Sequence, residues 1–356
     1  MPSETATREV PPTSATVGDV TERDLVARIR GHLPPAPPWL LVGIGDDAAV
    51  VEPERNRAEV FSVDALVEGV HFDRAFVPPD AIGHRALAVN LSDLAAMGAA
   101  PRLALLSLVL PPSLPLADFD AMIGGFAALA ARYGLHVAGG NLTRSPGPLI
   151  LDVTVAGSVK PRQALTRRGA RPGDDVYVSG TLGAAGAGLR RLRELAAGHA
   201  ATSVTQEAGD ARLVAAFLRP EARVRLGLLV GRNRAATACM DLSDGLADGA
   251  HQVAEASGVG LTIDADAFPI DPAARAFFEA RGLDPVAEAL TGGDDYELLF
   301  AARPKARRRL AAAAERGDVP LTRIGTCTDD TVLVMRRCVD GVVRHESIPM
   351  GFSHFR

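Results

Sequence analysis

The segment Gly43-Ile44-Gly45-Asp46-Asp47-Ala48-Ala49-Val50 places two neighbouring carboxylates between a Gly-x-Gly turn and a run of small and apolar residues. Adjacent like charges repel each other, so a folded protein keeps such a pair where water or cations neutralise it. A solvated turn is enough to explain an isolated Asp-Asp pair. The rest of the chain therefore decides whether this pair is structural or belongs to a binding site.

Length and composition limit the possible classes of protein. The 356 residues exceed a typical single core, and 47% hydrophobic with 23% charged residues is ordinary for a soluble protein. A net charge of −5 argues against general nucleic-acid binding. No apolar run approaches the roughly 20 residues that cross a bilayer. Three cysteines without Cys-x-x-Cys spacing indicate a reducing compartment. We expect a cytoplasmic protein that binds neither nucleic acid nor membrane.

Strands and helices alternate along both halves of the chain, which predicts a mixed α/β or α+β fold. Residues 1–18 are rich in Ser, Thr, Pro and acidic residues, so they are predicted to form a disordered tail. A boundary is expected near Val159–Gly169. The predicted organisation is therefore a tail over 1–18, an N-terminal domain over 19–160 and a C-terminal domain over 161–356.

Further aspartates are predicted at the ends of strands and helices or on an apolar helix, and these are Asp64, Asp93, Asp241 and Asp244. Asp93 is flanked by apolar residues in a helix predicted over Asp80–Met97, and a buried carboxylate needs a partner. An arginine partner or a helix cap would explain it, and a helix N-terminal charge would explain Asp244. Taken together with the Asp46-Asp47 pair, these hard oxygen ligands suit Mg²⁺ that bridges to phosphates.

The glycine-rich segments do not match a known nucleotide fingerprint. The chain has neither a Gly-x-x-x-x-Gly-Lys-Ser/Thr loop nor a protein-kinase glycine loop. Gly139-Gly140-Asn141 and Gly180–Gly188 could admit a phosphate close to backbone N–H groups. A further pair, Asp174-Asp175, follows a Pro-Gly turn and is expected in solvent. The repeated Leu-Ser-Asp of Asn90–Asp93 and Asp241–Asp244 is short enough to be a coincidence.

Six blocks of the chain resemble the thiamine-monophosphate kinase family, in the family's order. They are GIGDD at 43–47, SVDALVEGVHF at 62–72, ALAVNLSDLAAMGA at 86–99, ALTRRGARPGD at 164–174, DLSDGL at 241–246 and GGDDYEL at 292–298. The resemblance implies the two-domain fold of aminoimidazole-ribonucleotide synthetase. In that fold, an N-terminal β-sheet domain with helices forms half of a barrel across a homodimer, and a C-terminal α/β domain completes the ATP cleft.

The resemblance also implies the reaction, in which ATP and thiamine monophosphate give thiamine diphosphate and ADP. The implied ligands of several Mg²⁺ ions are Asp47, Ser62, the backbone of Val63, Asp64, Asp93, Asn141, Asp241 and Asp244. The implied ATP contacts are Gly140, Asn141, Arg167 and Ser243, and the implied thiamine contacts are His71, Asp294 and Phe352. The residues expected to carry catalysis are Asp47, Asp64, Asp93, Asp244 and Arg167.

Three positions differ from the family pattern. Val63 replaces a frequent Thr, which a backbone ligand tolerates. Asn141 stands where an Asp is often found, so the ligands of one metal ion carry one negative charge fewer. Asp294 replaces a frequent Glu and keeps the charge on a shorter side chain.

Other members of the superfamily and another class of protein remain as alternatives. A selenide, water dikinase would carry a reactive Cys or selenocysteine near the N-terminus, and no Cys precedes Cys239. The hydrogenase-maturation relative would end in cysteine, whereas this chain ends in Arg356. Aminoimidazole-ribonucleotide synthetase is disfavoured by the blocks at 90–97 and 292–298. A non-catalytic, Mg-dependent nucleotide-binding regulator is the alternative from a different class, because of Asn141.

Overall fold

A computed structural model describes residues 15–199 and 204–351 of the chain. The described residues begin before the predicted boundary at residue 18. Val17 is buried, its N–H donates to the carbonyl of Leu114 at 2.8 Å, and Gly18 donates to Pro112 at 2.9 Å. The predicted tail therefore extends too far toward the C-terminus, because backbone hydrogen bonds join residues 17 and 18 to the segment 112–114. Residues 1–14 and Phe352 lie outside the described residues.

The N-terminal half is a four-stranded sheet with helices packed on one face. Its strands lie in the order β3-β6-β4-β5, with β4 and β5 parallel and the other pairs antiparallel. The elements are α1 Glu22–His32, β1 Leu40–Val42, β2 Val50–Val51, β3 Ala58–Val67, α2 Pro79–Ala96, β4 Ala100–Leu110, α3 Leu116–Arg132, β5 His136–Arg144 and β6 Ile150–Val159.

The C-terminal half is a seven-stranded mixed sheet in the order β13-β12-β9-β11-β7-β10-β8. The mixed α/β prediction is confirmed for both halves. The elements are β7 Asp175–Ser179, α4 Ala184–Ala196, α5 Val204–Leu218, α6 Val224–Arg232, β8 Ala238–Asp241, α7 Leu246–Ser257, β9 Gly260–Asp264, α8 Pro272–Glu279, α9 Pro285–Thr291, β10 Leu298–Ala302, α10 Arg307–Gly317, β11 Leu321–Thr328, β12 Leu333–Val339 and β13 Val342–Ser347.

Two short helices, α8 and α9, were missing from the sequence prediction. Both begin with Asp-Pro, and the aspartate caps the helix: Asp271 accepts from Ala273 N at 2.8 Å, and Asp284 accepts from Val286 N at 3.0 Å. An N-cap aspartate followed by proline at the first helical position is a recognised start signal. The signal was present in the sequence and would have identified both helices.

The pair Asp174-Asp175 was predicted to lie in solvent, and this prediction is wrong. Both residues are buried. Asp174 accepts from Thr237 Oγ1 at 2.7 Å, and Asp175 pairs with Arg307 at 2.9 Å and Arg323 at 2.6 Å. The Pro-Gly turn is real, but β7 begins at Asp175 in the middle of the sheet. Burial is tolerated because these partners satisfy the carboxylates.

Helix α2 is the central element between the two halves. Most of its residues are buried, and it contacts β3 and β6 on one side and α6 and β8 on the other. No helix among the described residues is long and apolar enough to span a membrane.

The approach of α2 to α3 requires glycine. A Cβ on Gly83 would lie 1.8 Å from the carbonyl oxygen of Met122, whereas a Cβ on Gly31 in α1 would meet nothing within 4 Å. We expect Gly83→Ala to destabilise the protein by about 3 kcal/mol or to prevent folding, because the two helix backbones must separate. Gly31→Ala is the matched control and should stabilise by up to about 1 kcal/mol. Urea unfolding midpoints measure both changes, and equal stability of the two variants would contradict this packing.

Candidate active site

A cleft of about 690 Å³ lies where the two halves meet. The N-terminal half contributes β3, α2 and the segment 69–76, and the C-terminal half contributes α4 and the segments 241–244 and 291–296. Of the residues predicted for the site, the cleft wall contains Ser62, Val63, Asp64, His71, Asp93, Arg167, Asp241, Ser243, Asp244 and Asp294. The fold therefore brings together residues that are up to about two-thirds of the chain apart.

Four aspartates from different elements line one part of this cleft. Asp64 lies on β3, Asp93 on the last turns of α2, Asp241 at the end of β8 and Asp244 in the turn before α7. Ser62 lies two residues before Asp64 on β3, and its Oγ donates a hydrogen bond to Asp93. Alternation along β3 therefore places Ser62 and Asp64 on the same face.

The two Leu-Ser-Asp segments meet at this cluster. Ser92 Oγ of the first segment donates to Asp241 Oδ2 of the second at 2.7 Å, and both residues are buried. Asp93, the next residue along α2, faces the cleft and is half-buried, as predicted from its apolar neighbours. The short sequence repeat thus corresponds to a real contact between the two halves of the protein.

Burial raises the pKa of three of these carboxylates, and the charge of Asp93 adds to the shift at Asp64 and Asp241. Burial, followed by the negative charges of Asp93, Asp241 and Asp244, raises the pKa of Asp64 to about 7. Burial and the charge of Asp93 raise the pKa of Asp241 to about 6. Burial also raises the pKa of Asp93, although hydrogen bonding from Ser62 and the charge of Arg167 oppose the shift. Such a cluster holds protons near neutral pH unless a cation replaces them.

The clustered aspartates fit Mg²⁺ ions that also bind a phosphate ligand. Among the described residues, no three His, Cys, Asp or Glu side chains already converge on one point that could hold an ion. Asp93 instead accepts a hydrogen bond from Ser62 Oγ and shares another with Asp64. Mg²⁺ commonly takes one or two carboxylates and completes its shell with water and substrate phosphate oxygens. The aspartates suit ions shared with a phosphate ligand better than a closed protein cage.

Two arginines line the cleft beside the aspartates. Arg167 is exposed, donates to Gln252 Oε1, and lowers the pKa of Asp93 through its charge. Arg193 also lines the cleft and was not identified from the sequence. It lies on one face of α4 with Gly186 and Leu189, at spacings of three and four residues, and this shared face is the signal that would have found it.

A second group of predicted residues lies away from the cleft wall. Asp47 is exposed on the turn between β1 and β2, and its N–H donates to Asp46 Oδ1 at 2.9 Å. Gly140 and Asn141 lie on β5, the edge strand of the four-stranded sheet, and Asn141 Nδ2 donates to Thr143 Oγ1 at 2.9 Å. The structure does not bring these residues to the lining of the cleft.

The segment Gly180–Gly188, suggested from the sequence as a phosphate loop, is already occupied by a carboxylate. Asp295 accepts from Gly183 N at 2.8 Å at the N-terminus of α4. Burial raises the pKa of Asp295 to about 8 against these hydrogen bonds. On Gly180, a Cβ would lie 2.0 Å from Glu297 Oε1. The glycines of this loop therefore make room for the protein's own acidic side chains.

Comparison with known proteins gives one consistent group. Two family models match this chain. The model of the AIR synthase related protein, N-terminal domain, matches residues 45–159, and the model of its C-terminal domain matches residues 171–337. Thiamine-monophosphate kinase of Bacillus subtilis (strain 168) is 33% identical over 319 residues, covering 88% of this chain and 94% of the relative.

Two solved structures are similar over most of their length. The crystal structure of thiamine-monophosphate kinase from Stenotrophomonas maltophilia K279a has a TM-score of 0.78 at 40% identity, covering 91% of this chain and 98% of that one. A complex of AaThiL with AMPPCP and TMP has a TM-score of 0.71 at 32% identity, and the match covers 87% of this chain and 91% of that one.

Proposed function

Because the chain belongs to the thiamine-monophosphate kinase family, we propose that it transfers the terminal phosphoryl group of ATP to thiamine monophosphate, giving thiamine diphosphate and ADP. The observation that carries this proposal is the cleft, whose lining includes six aspartates, four of them in the cluster described above, and two arginines. An acidic site with nearby guanidinium groups suits the joining of two phosphate compounds through divalent cations. We place the reaction in the cytoplasm, as the composition of the chain suggested.

The acceptor explains why the cleft needs no general base. A phosphate monoester has a second pKa of about 6, so its oxygens are already ionised near neutral pH. The task of the protein is to hold two polyanions in line. Bound Mg²⁺ supplies the positive charge that this arrangement requires. Asp64, Asp93, Asp241, Asp244 and Ser62 would hold the ions from the cleft wall, with the backbone of Val63 beside them.

The remaining roles are assigned by resemblance and by position. Arg167 lies beside Asp93 and would bind ATP phosphates together with Ser243. His71 and Asp294 line the same cleft and would contact the thiamine part of the acceptor. Asp47, on the turn between β1 and β2, would act as a metal ligand. Gly140 and Asn141, on the edge strand β5, would contact ATP, and Asn141 would also be a metal ligand. Phe352 keeps its proposed thiamine contact.

Transfer should be direct. Among the described residues no cysteine lines the cleft, and both of its serines donate to carboxylates: Ser62 to Asp93, and Ser243 to Asp244 at 3.4 Å. We therefore expect no phosphoenzyme. Rapid quenching with labelled ATP would show label passing to the acceptor alone, and a labelled protein on the timescale of turnover would contradict direct transfer.

The four-stranded sheet supports the homodimer that the resemblance implies. Its outer face exposes Phe61 and Val63 on β3 and Leu105 on β4, with 69%, 58% and 39% of each residue accessible. Val63 and Leu105 both pair with Thr154 of β6, so they form a row across the sheet. A contiguous apolar face of this kind marks an interface. A monomer mass in solution at working concentration would contradict the dimer.

The choice of acceptor tests the proposed function. ADP formation would be measured with thiamine monophosphate, with thiamine and with aminoimidazole ribonucleotide precursors, at equal ATP and Mg²⁺. We expect turnover with thiamine monophosphate and little with the other two. Turnover with an aminoimidazole precursor alone would instead favour the aminoimidazole-ribonucleotide synthetase alternative.

A further inference from the structure

One arginine inside helix α2 reaches across to the C-terminal half of the cleft. Arg85 has only 2% of its side chain exposed, and its Nη2 donates to Asp294 Oδ1 at 3.1 Å. Nη1 donates to the carbonyl oxygen of Phe217, and the guanidinium lies 4.1 Å from the centre of the Phe217 ring. A planar guanidinium that makes two hydrogen bonds and packs on an aromatic ring has little freedom to rotate. The carboxylate that it contacts is therefore fixed by α2.

Asp294 is held by a second donor at the same oxygen. Tyr296 OH donates to Asp294 Oδ1 at 2.8 Å, and Tyr296 is buried. Both hydrogen bonds end on Oδ1, which leaves Oδ2 as the oxygen through which Asp294 can meet a ligand in the cleft. The carboxylate therefore presents one oxygen in a fixed orientation.

The backbone of this segment is strained in a way that requires such anchoring. Asp294 has φ of 67° and Tyr296 has φ of 49°, in the left-handed region that non-glycine residues rarely adopt. Backbone hydrogen bonds hold the segment against the turn after β8: Asp294 N donates to Ser243 O at 2.7 Å, and Tyr296 N to Leu242 O at 3.0 Å. Strain of this kind is found where a side chain must be aimed at a ligand.

The same helix also carries an aspartate of the acidic cluster. Arg85, Val89 and Asp93 follow one another at four-residue spacing, so they share a face of α2, and Val89 and Asp93 line the cleft. Eight residues of helix span about 12 Å. A single buried helix therefore carries both an aspartate of the cluster and the arginine that holds Asp294.

We propose that Arg85 is a positioning residue that determines recognition of the acceptor. It holds Asp294 Oδ1, so that Oδ2 faces the organic cation of the acceptor while the phosphate of the acceptor lies at the aspartate cluster. This inference rests on the proposed function. It predicts that loss of the Arg85 fork or of the Tyr296 hydroxyl weakens binding of the acceptor and leaves binding of ATP unchanged.

Two conservative variants test the proposal. Arg85→Lys keeps the charge but loses the fork, and Tyr296→Phe removes only the hydroxyl. We expect each to weaken thiamine monophosphate binding about tenfold, since a hydrogen bond to a charged group is lost, while the KM for ATP and the kcat at saturating acceptor stay within about threefold. Calorimetric titration with thiamine monophosphate alone measures binding without turnover.

Arg191→Lys is the matched control. Arg191 is equally buried and donates to Asp210 at 2.6 Å, but Asp210, unlike Asp294, does not line the cleft. Arg191→Lys should change the unfolding temperature without a selective effect on the acceptor. Unchanged acceptor affinity in folded Arg85→Lys and Tyr296→Phe, or equal weakening of ATP and acceptor, would overturn the proposal. Wild-type protein that binds thiamine monophosphate selectively through these residues but forms no thiamine diphosphate would instead refute only the proposed function.

Discussion

Asp93→Asn should reduce kcat by about 10³-fold or more while the protein stays folded. One missing electrostatic contact at a reacting centre costs about 10²–10³ in rate, and Asp93 both belongs to the carboxylate cluster and lies beside Arg167. The amide keeps the shape of the side chain and still accepts from Ser62 Oγ. It removes the negative charge that raises the pKa of Asp64 and Asp241, so the metal-free variant should be at least as stable as wild type.

Asp80→Asn on the same helix is the control for this change. Asp80 pairs with Arg219 at the surface and does not line the cleft. Its kcat should stay within about threefold of wild type, as expected for an exposed ion pair. ADP formation and thermal unfolding would be followed for both variants. Near-normal activity of a folded Asp93→Asn protein would refute the carboxylate cluster as the reacting centre.

Removal of Mg²⁺ should stop turnover, and the requirement for Mg²⁺ should rise as the pH falls. In the metal-free protein the pKa values of Asp64 and Asp241 lie at about 7 and about 6, above the ordinary value of 3.8. Metal binding needs the deprotonated carboxylates, so Mg²⁺ displaces protons from the cluster. Between pH 7.5 and 5.5 the Mg²⁺ concentration for half-maximal activity should rise about tenfold per pH unit for each proton displaced.

The same shifts predict how stability depends on pH. The raised pKa values mean that the folded protein holds protons which the unfolded chain has already lost above about pH 4. The contribution of the cluster to the free energy of unfolding of the metal-free protein should therefore fall as the pH rises from 4 to 7. Mg²⁺ should restore it most strongly at the upper end of that range. Unfolding temperatures measured with chelator and with Mg²⁺ give this difference, and a stabilisation by Mg²⁺ that does not change with pH would contradict the shared protonation of the cluster.

Much of the fold was predictable because local patterns and tertiary contacts agree. The apolar helix around Asp93 and the helix start near Asp244 were recognised from hydrophobic spacing and turn residues, and both lie where predicted. The strand predicted to end at Asp64 instead runs on to Val67, so Asp64 lies inside β3 and not at its end. The convergence of these aspartates followed from their chemistry and from the family resemblance. Periodicity places a residue on a strand or helix, but it does not place two such elements beside each other.

The features that sequence reasoning missed depend on partners far away along the chain. Asp175 is buried only because Arg307 and Arg323, more than 130 residues later, neutralise it. Asp295 fills the glycine loop at the start of α4 from 112 residues away. Arg85 contacts Asp294 across 209 residues, and nothing near Arg85 in the sequence marks it as part of the site. Local turn and helix signals carry no information about such long-range pairs.

Product formation by the wild-type protein tests the central claim most directly. Purified protein would be incubated with ATP, Mg²⁺ and thiamine monophosphate, and thiamine diphosphate and ADP would be quantified together. We predict that the two products appear in equal amounts, and that omission of thiamine monophosphate or of Mg²⁺ abolishes both. Tight, Mg-dependent binding of ATP with no ADP and no thiamine diphosphate would contradict the account and would indicate a nucleotide-binding regulator.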